Sequence, residues 1–160
     1  YDSGTLRSLE RSTRSHNTVT VNNQNSSDTW GGFRVGKRAD IVNYEEIHKS
    51  IIATHDGFNS LGVTHQRKWV WSHDEITITD QINGNNQVDA KAFFHFHPDT
   101  IIQNNDGYFL FNGHIKFVIN NALNIKLVDY EYAPEFNKGY NSKCLEADFK
   151  HSLITKIRVV

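Results

Sequence analysis

Nine histidines in 160 residues are the first chemically suggestive feature of this sequence, because imidazole is the side chain suited to proton transfer near neutral pH and to metal ligation. They fall in different settings. His16 follows the arginine-rich stretch Arg11-Ser12-Thr13-Arg14-Ser15 and precedes Asn17-Thr18-Val19-Thr20-Val21. Period-two alternation sends Val19 and Val21 to one face and His16, Thr18 and Thr20 to the other, so His16 stands at the start of a strand on its polar side. His55 closes an apolar run at the turn His55-Asp56-Gly57-Phe58, where Asp56 could accept from its own backbone or hold the imidazole in one tautomer. His95 and His97 lie two apart, hence on one face of a strand, at metal-ligand spacing.

Two arginines add a second kind of chemistry. Phe33 and Val35 alternate with Arg34, Gly36 and Arg38. With the apolar pair buried, both guanidinium groups project from one side, and the glycine between them leaves room for a ligand. Such a pair holds a carboxylate or sulfate through bidentate hydrogen bonds. The charge distribution agrees with an anionic partner: residues 7–38 carry six basic and two acidic side chains, a local +4 in a chain of net charge −1. A cupin-type metal site would use the His95/His97 pair with a glutamate three or four residues on. Thr100, Ile101 and Ile102 follow instead, so structural histidines beside Phe93 are expected there.

These residues must be positioned by strands. Turn chemistry recurs about every ten residues, at Asn22-Asn23, Gly31-Gly32, His55-Asp56-Gly57, Asn83-Gly84, Asn105-Asp106-Gly107, Asn112-Gly113 and Asn120-Asn121. Between the turns lie β-branched and aromatic runs at 18–21, 33–41, 47–54, 67–71, 76–82, 92–97, 108–111, 115–119, 125–132 and 153–159. The spacing predicts an all-β chain, an antiparallel β-sandwich of about ten or more short strands. The clearest local unit is a hairpin of HQRKWVW and EITITDQ joined by Ser72-His73-Asp74, with Trp69 and Trp71 on one face. Helical charge clustering is confined to about residues 3–12, and Pro98 and Pro134 are placed to end strands.

Composition sets further bounds. At 38% hydrophobic and 22% charged residues the chain is one ordinary folded domain, 1–160. No apolar run approaches the roughly 20 residues of a membrane span, and the first residues lack a signal-peptide pattern. Cys144 is the single cysteine and has no disulfide partner. The chain has no methionine, which suggests an excised piece of a longer protein.

The segment RSTRSHNTVTVNNQNSSDTWGGFRVGKRA resembles the opening of the C-terminal β domain of heparinase II/III-like polysaccharide lyases. Its Arg-Ser-Thr, His-Asn-Thr-Val, Trp-Gly and Phe-Arg-Val-Gly-Lys-Arg elements occur in the family's order, as do HDGF at 55–58, HQRKWVW followed by ITITDQI, and FHFHPD from Phe94. The resemblance runs from about residue 7 to 98, with a weaker echo beyond. It implies the C-terminal part of a two-domain lyase whose N-terminal helical toroid domain is absent here. The family's reaction is β-elimination on an acidic polysaccharide: the uronate carboxylate is neutralised, a base removes the C5 proton, and an acid protonates the departing glycosidic oxygen. The toroid supplies a tyrosine and a carboxylate-binding Asn or His. The β domain supplies a histidine matching His16, with His55 and Arg34 as further matches facing the cleft.

The expectation is therefore a domain with His16 and His55 as catalytic residues and Arg34, Arg38 and Asn17 as substrate-binding ones. Its partners are an acidic, uronate-containing polysaccharide and the helical domain of the same protein, with neither nucleic acid nor a membrane span. No cofactor is required. Some family members bind a structural divalent metal in this domain, for which His16, His55 and Asp28 are the candidates, with the ligand set left open. Alone the domain should be inactive, and a polymeric substrate implies a periplasmic or secreted setting. The rival is a non-catalytic carbohydrate-binding or scaffold module whose Trp69, Trp71, Tyr130 and Tyr132 would stack on sugar rings.

Overall fold

The computed structural model describes residues 4–135 and 138–160. Among these, strands follow one another almost without interruption: β1 (Val19–Val21), β2 (Thr29–Trp30), β3 (Arg34–Val35), β4 (Ile41–Ile47), β5 (Ser50–His55), β6 (Val63–Trp71), β7 (Glu75–Gly84), β8 (Ala90–His95), β9 (Ile102–Asn105), β10 (Tyr108–Phe111), β11 (Ile115–Asn120), β12 (Asn124–Glu135), β13 (Lys138–Phe149) and β14 (Ser152–Val159). One short helix, α1 (Thr5–Glu10), and single 3-10 turns at Thr13–Ser15 and Asn59–Leu61 accompany them. No helix among the described residues is long and apolar enough to cross a membrane.

The strands form two layers. Eight make an antiparallel sheet in the order β4-β5-β6-β7-β14-β11-β10-β9, four make a second in the order β1-β8-β13-β12, and β2 and β3 pair as a separate ribbon. Alternate residues of the facing surfaces meet between the layers: Val19, Val21, Ala92, Phe94, Leu145, Ala147 and Phe149 from the smaller sheet, and Val63, Ile82, Phe109, Phe117 and Leu153 from the larger. Each large side chain buried there contributes roughly 1.5–3 kcal/mol, which fixes the register of every strand whose other face carries polar residues. The sandwich expected from the turn spacing is observed.

Several elements differ from the sequence expectation, each for a local reason. The run 33–41 is broken. Gly31 has a left-handed φ of 56°, β3 stops after two residues, and 36–40 forms a loop bonded to Asp28, Ser27 and Asp56. The following strand is β4, which turns into β5 at His48 with φ 28°. Thr20 is buried rather than exposed, because the 3-10 turn at Thr13–Ser15 packs against β1 and β8. Pro134 lies within β12, where the register shifts between Tyr132 and Glu135; as an edge strand, β12 tolerates the missing N–H at its bulge.

The β6–β7 hairpin is as expected, paired from Trp71↔Ile76 to Val63↔Gly84. Its inner face has three zones. Val63 and Ile82 join the apolar core. Next along the strands come His65, Arg67 and Asp80, all buried. Beyond them, where the larger sheet outruns the smaller, Trp69, Trp71 and Ile76 line an apolar groove with Ile51 of β5.

Candidate functional site

The middle zone of the hairpin is where the two layers are joined by polar groups. Register places Arg67 opposite Asp80 and His65 opposite His55, and their side chains link into one chain. The Gly57 N–H donates to His55 Nδ1 at 3.2 Å, His55 Nε2 lies 3.0 Å from His65 Nδ1, and His65 Nε2 lies 2.7 Å from Asp80 Oδ1. Arg67 grips the same carboxylate with both arms, Nε to Oδ1 at 2.6 Å and Nη2 to Oδ2 at 3.1 Å. Its remaining Nη1 donates to the carbonyl oxygen of Asn17 at 2.5 Å, immediately before β1 of the other sheet.

One proton arrangement satisfies every link. Because His55 Nδ1 accepts from Gly57, the His55 proton sits on Nε2 and points at His65 Nδ1; the His65 proton is then on Nε2 and points at Asp80. Electrostatics agree with a neutral His55. Burial and the neighbouring His65 push its pKa down to about 4. Burial works to raise the Asp80 pKa, but His65 and the Arg67 guanidinium hold it below the usual carboxylate value. His65, Arg67 and Asp80 are the only buried charged or imidazole side chains among the described residues.

His16 and Asn17 lie at the far end of this chain. The His16 ring is exposed and makes no hydrogen bond within the described residues. Asn17 Oδ1 accepts from the His95 backbone N–H at 2.7 Å and lies 3.1 Å from His95 Nδ1, tying the approach to β1 to the end of β8. His95 is packed between Phe93, at 6.3 Å, and the edge of Tyr130, at 4.7 Å, while Tyr130 donates to the Phe96 carbonyl oxygen at 2.7 Å. Burial and the nearby His16 lower the His95 pKa. Thus His95 packs beside Phe93, as expected. Among the described residues the His97 ring meets Tyr132, with ring centroids 5.2 Å apart, and the carboxylate and backbone N–H of Asp99.

The basic residues of the segment 7–38 take different roles. Arg11 donates to the carbonyl oxygens of Gly31 and Arg34, both at 2.9 Å, so the segment preceding His16 clamps the β2–β3 ribbon. Arg14 pairs with Glu146 at 3.7 Å. The side chains of Arg34 and Arg38 are exposed and have no partner among the described residues. They do not share a strand face as the alternation suggested, since Phe33 is 77% exposed and β3 ends before Gly36. The space at that glycine is taken: a Cβ there would come within 2.6 Å of the Trp30 ring.

His55 is oriented by His65 and Gly57. Asp56 instead accepts from the Asp40 N–H at 2.8 Å, fastening the 36–40 loop to the same turn. Gly57 is packed so closely against Ser26 and Ala39 that a Cβ would lie 2.6 Å from the Ser26 carbonyl oxygen. The candidate metal set does not fit: both His55 nitrogens are engaged in the internal chain, and no three His, Cys, Asp or Glu residues among those described are arranged to hold a metal ion. The aromatic platform is also not formed as a flat row, because Trp69 and Trp71 are half-buried in the apolar groove and Tyr130 and Tyr132 are edge-packed on histidines.

The family model for the heparinase II/III-like C-terminal region matches residues 1–155. The chain belongs to that family. Solved structures similar to this heparinase II/III-like domain include a heparinase III gene product, with TM-score 0.72 and 18% identity over 99% of this chain and 26% of that one. They also include heparan sulfate lyase HepC from Pedobacter heparinus, with TM-score 0.66 and 16% identity over 99% and 27%, and a heparinase III with TM-score 0.68 and 15% identity over 97% and 25%. At such identities the likeness shows the fold. The domain spans about a quarter of the length of these proteins. No curated protein matches it.

His65, Arg67 and Asp80 were not among the residues that sequence reasoning marked. The turn Ser72-His73-Asp74 expected from the sequence would face Trp71 with Glu75 and Arg67 with Thr79; the structure closes the hairpin between Ser72 and Glu75, so that Trp71 faces Ile76 and, four residues further along each strand, Arg67 faces Asp80.

Proposed function

We propose that this heparinase II/III-like domain forms one wall of a lyase active site that cleaves acidic, uronate-containing polysaccharide by β-elimination, the other wall coming from a helical domain of the same protein. The observation that carries this reading is His16: an exposed imidazole with no side-chain hydrogen bond among the described residues, on a backbone anchored by a buried arginine, in the segment 7–38 that carries six basic side chains against two acidic ones. His16 meets the reacting sugar, where an imidazole can polarise the uronate carboxylate or move the C5 proton. Arg34 and Arg38 meet anionic groups of the polymer. His55, whose ring nitrogens both face inward, supports the site from beneath.

Chemistry requires such groups together. Removing a proton α to a carboxylate builds negative charge on that carboxylate, and cationic or hydrogen-bonding groups fixed beforehand stabilise it without reorganisation. The C5 proton leaves to the base, the C4–O bond breaks, and the leaving oxygen takes a proton from the acid, so the product carries a C4–C5 double bond. The test uses the full-length protein bearing this domain. With a panel of glycosaminoglycans, alginate and neutral glucans, ultraviolet-absorbing unsaturated uronate should appear from at least one acidic polymer and none of the neutral ones. Reducing ends released without unsaturation would show hydrolysis and overturn the reading.

A further inference from the structure

A buried ion pair needs a reason. Desolvating Asp80 and Arg67 costs several kcal/mol per ion, and apolar residues of similar volume often serve the fold as well or better. Here the pair is retained in the middle of an apolar sandwich, 0% and 9% exposed, between the core zone and the tryptophan groove of the same strands. What distinguishes Arg67 from its surroundings is the direction of its third donor. Two arms are spent on Asp80, and Nη1 crosses to the other sheet to hold a single backbone oxygen, that of Asn17. The adjoining residue is His16.

The oxygen of Asp80 that Arg67 Nε holds is held from a second direction as well. His65 donates to Oδ1 and is itself backed by His55, which is fixed by the Gly57 N–H. Asp80 cannot rotate toward another donor without breaking this line, so the guanidinium plane is set, and with it the position of the Asn17 carbonyl. Asn17 is then pinned twice, through its backbone by Arg67 and through its side chain by His95. His16 has no side-chain anchor of its own.

We propose that Arg67 is the positioning residue of His16, acting through the Asn17 carbonyl, with Asp80, His65 and His55 as the line that holds the guanidinium in place. The assignment rests on the lyase reading only for its consequence in turnover; the anchoring itself is a property of the fold. It gives His55 a role without contact to substrate.

The test is the full-length protein carrying Arg67→Lys, which keeps a cation beside Asp80 but lacks the fork that reaches Asn17. A second variant, Arg67→Met with Asp80→Leu, removes both charges and leaves none unpaired. Turnover on the acidic polymer should fall on the order of tenfold to a hundredfold with KM little changed. Amide hydrogen exchange should quicken in the peptide containing residues 16–18 while β6 and β7 stay protected. Wild-type turnover and exchange in a folded variant of either kind would overturn the assignment. If the wild-type protein cleaves no acidic polymer, the lyase reading has failed by itself, and the exchange at 16–18 still decides the positioning: unchanged exchange overturns it, and faster exchange sustains it.

Discussion

Protonating His55 requires giving up a hydrogen bond, because one ring nitrogen accepts from Gly57 and the other donates to His65. Its folded pKa of about 4 lies below the ordinary 6.5, so the unfolded chain binds the proton more readily, and stability must fall as pH drops from about 6.5 to about 4. Allowing for solvent screening of a half-buried ring, the loss is about 1–2 kcal/mol. Urea titrations across that range should show it, and His55→Gln should remove most of the slope. Thr155 offers a prediction of opposite sign. Its hydroxyl is fully buried with no hydrogen-bond partner among the described residues, so Thr155→Val should stabilise the fold by about 1 kcal/mol in the same assay. Cys144 is buried, and burial pushes its thiol up to about 11; iodoacetamide at neutral pH should leave it unlabelled in the native protein and label it in urea.

At the level of elements, the His55–Phe58 turn and the 25–40 loop behave as one joint. Gly57 packs on Ser26 and Ala39, Asp56 holds the Asp40 N–H, and Thr13 bonds to Asn25 and Ser26 just before His16. Gly57→Ala should therefore cost about 1–3 kcal/mol by overpacking, measured by thermal unfolding, and it should weaken the hold on both the His16 and Arg34 segments. Much of this arrangement was legible in the sequence. Val19 and Val21 alternate cleanly and are fully buried, and the Trp69/Trp71 hairpin is found where its two runs place it. β13 was not legible, because KGYNSKCLEADF holds no β-branched residue and is rich in types uncommon in strands, and its outer Glu146 is satisfied by Arg14 and Lys91 in a way no local pattern reveals. The 33–41 run misled for the converse reason: its apolar residues look like a strand, but Phe33 is solvent-exposed and the loop's hydrogen bonds go to distant segments. The line of His55, His65, Asp80 and Arg67 was not legible because its members meet only across strands, in a register that depends on the exact closure of the turn.

For the whole molecule, the two sheets are unequal, eight strands against four. The larger sheet leaves Ile51, Trp69, Trp71 and Ile76 without a covering layer, and the basic His16 corner opens toward solvent. Both features suit a domain that works against a second one, and the heparinase structures it resembles are about four times as long as the part it covers. On the proposed function, residues 1–160 alone should give no detectable unsaturated product where the full-length protein does, since a site divided between domains loses positioning and proton transfer together. The most direct measurement compares full-length wild type with His16→Ala on the acidic polysaccharide that the wild type cleaves, following ultraviolet absorbance of the unsaturated product. The account predicts a fall in kcat on the order of a hundredfold or more with the thermal midpoint unchanged; near-wild-type kcat in a folded His16→Ala protein would contradict it.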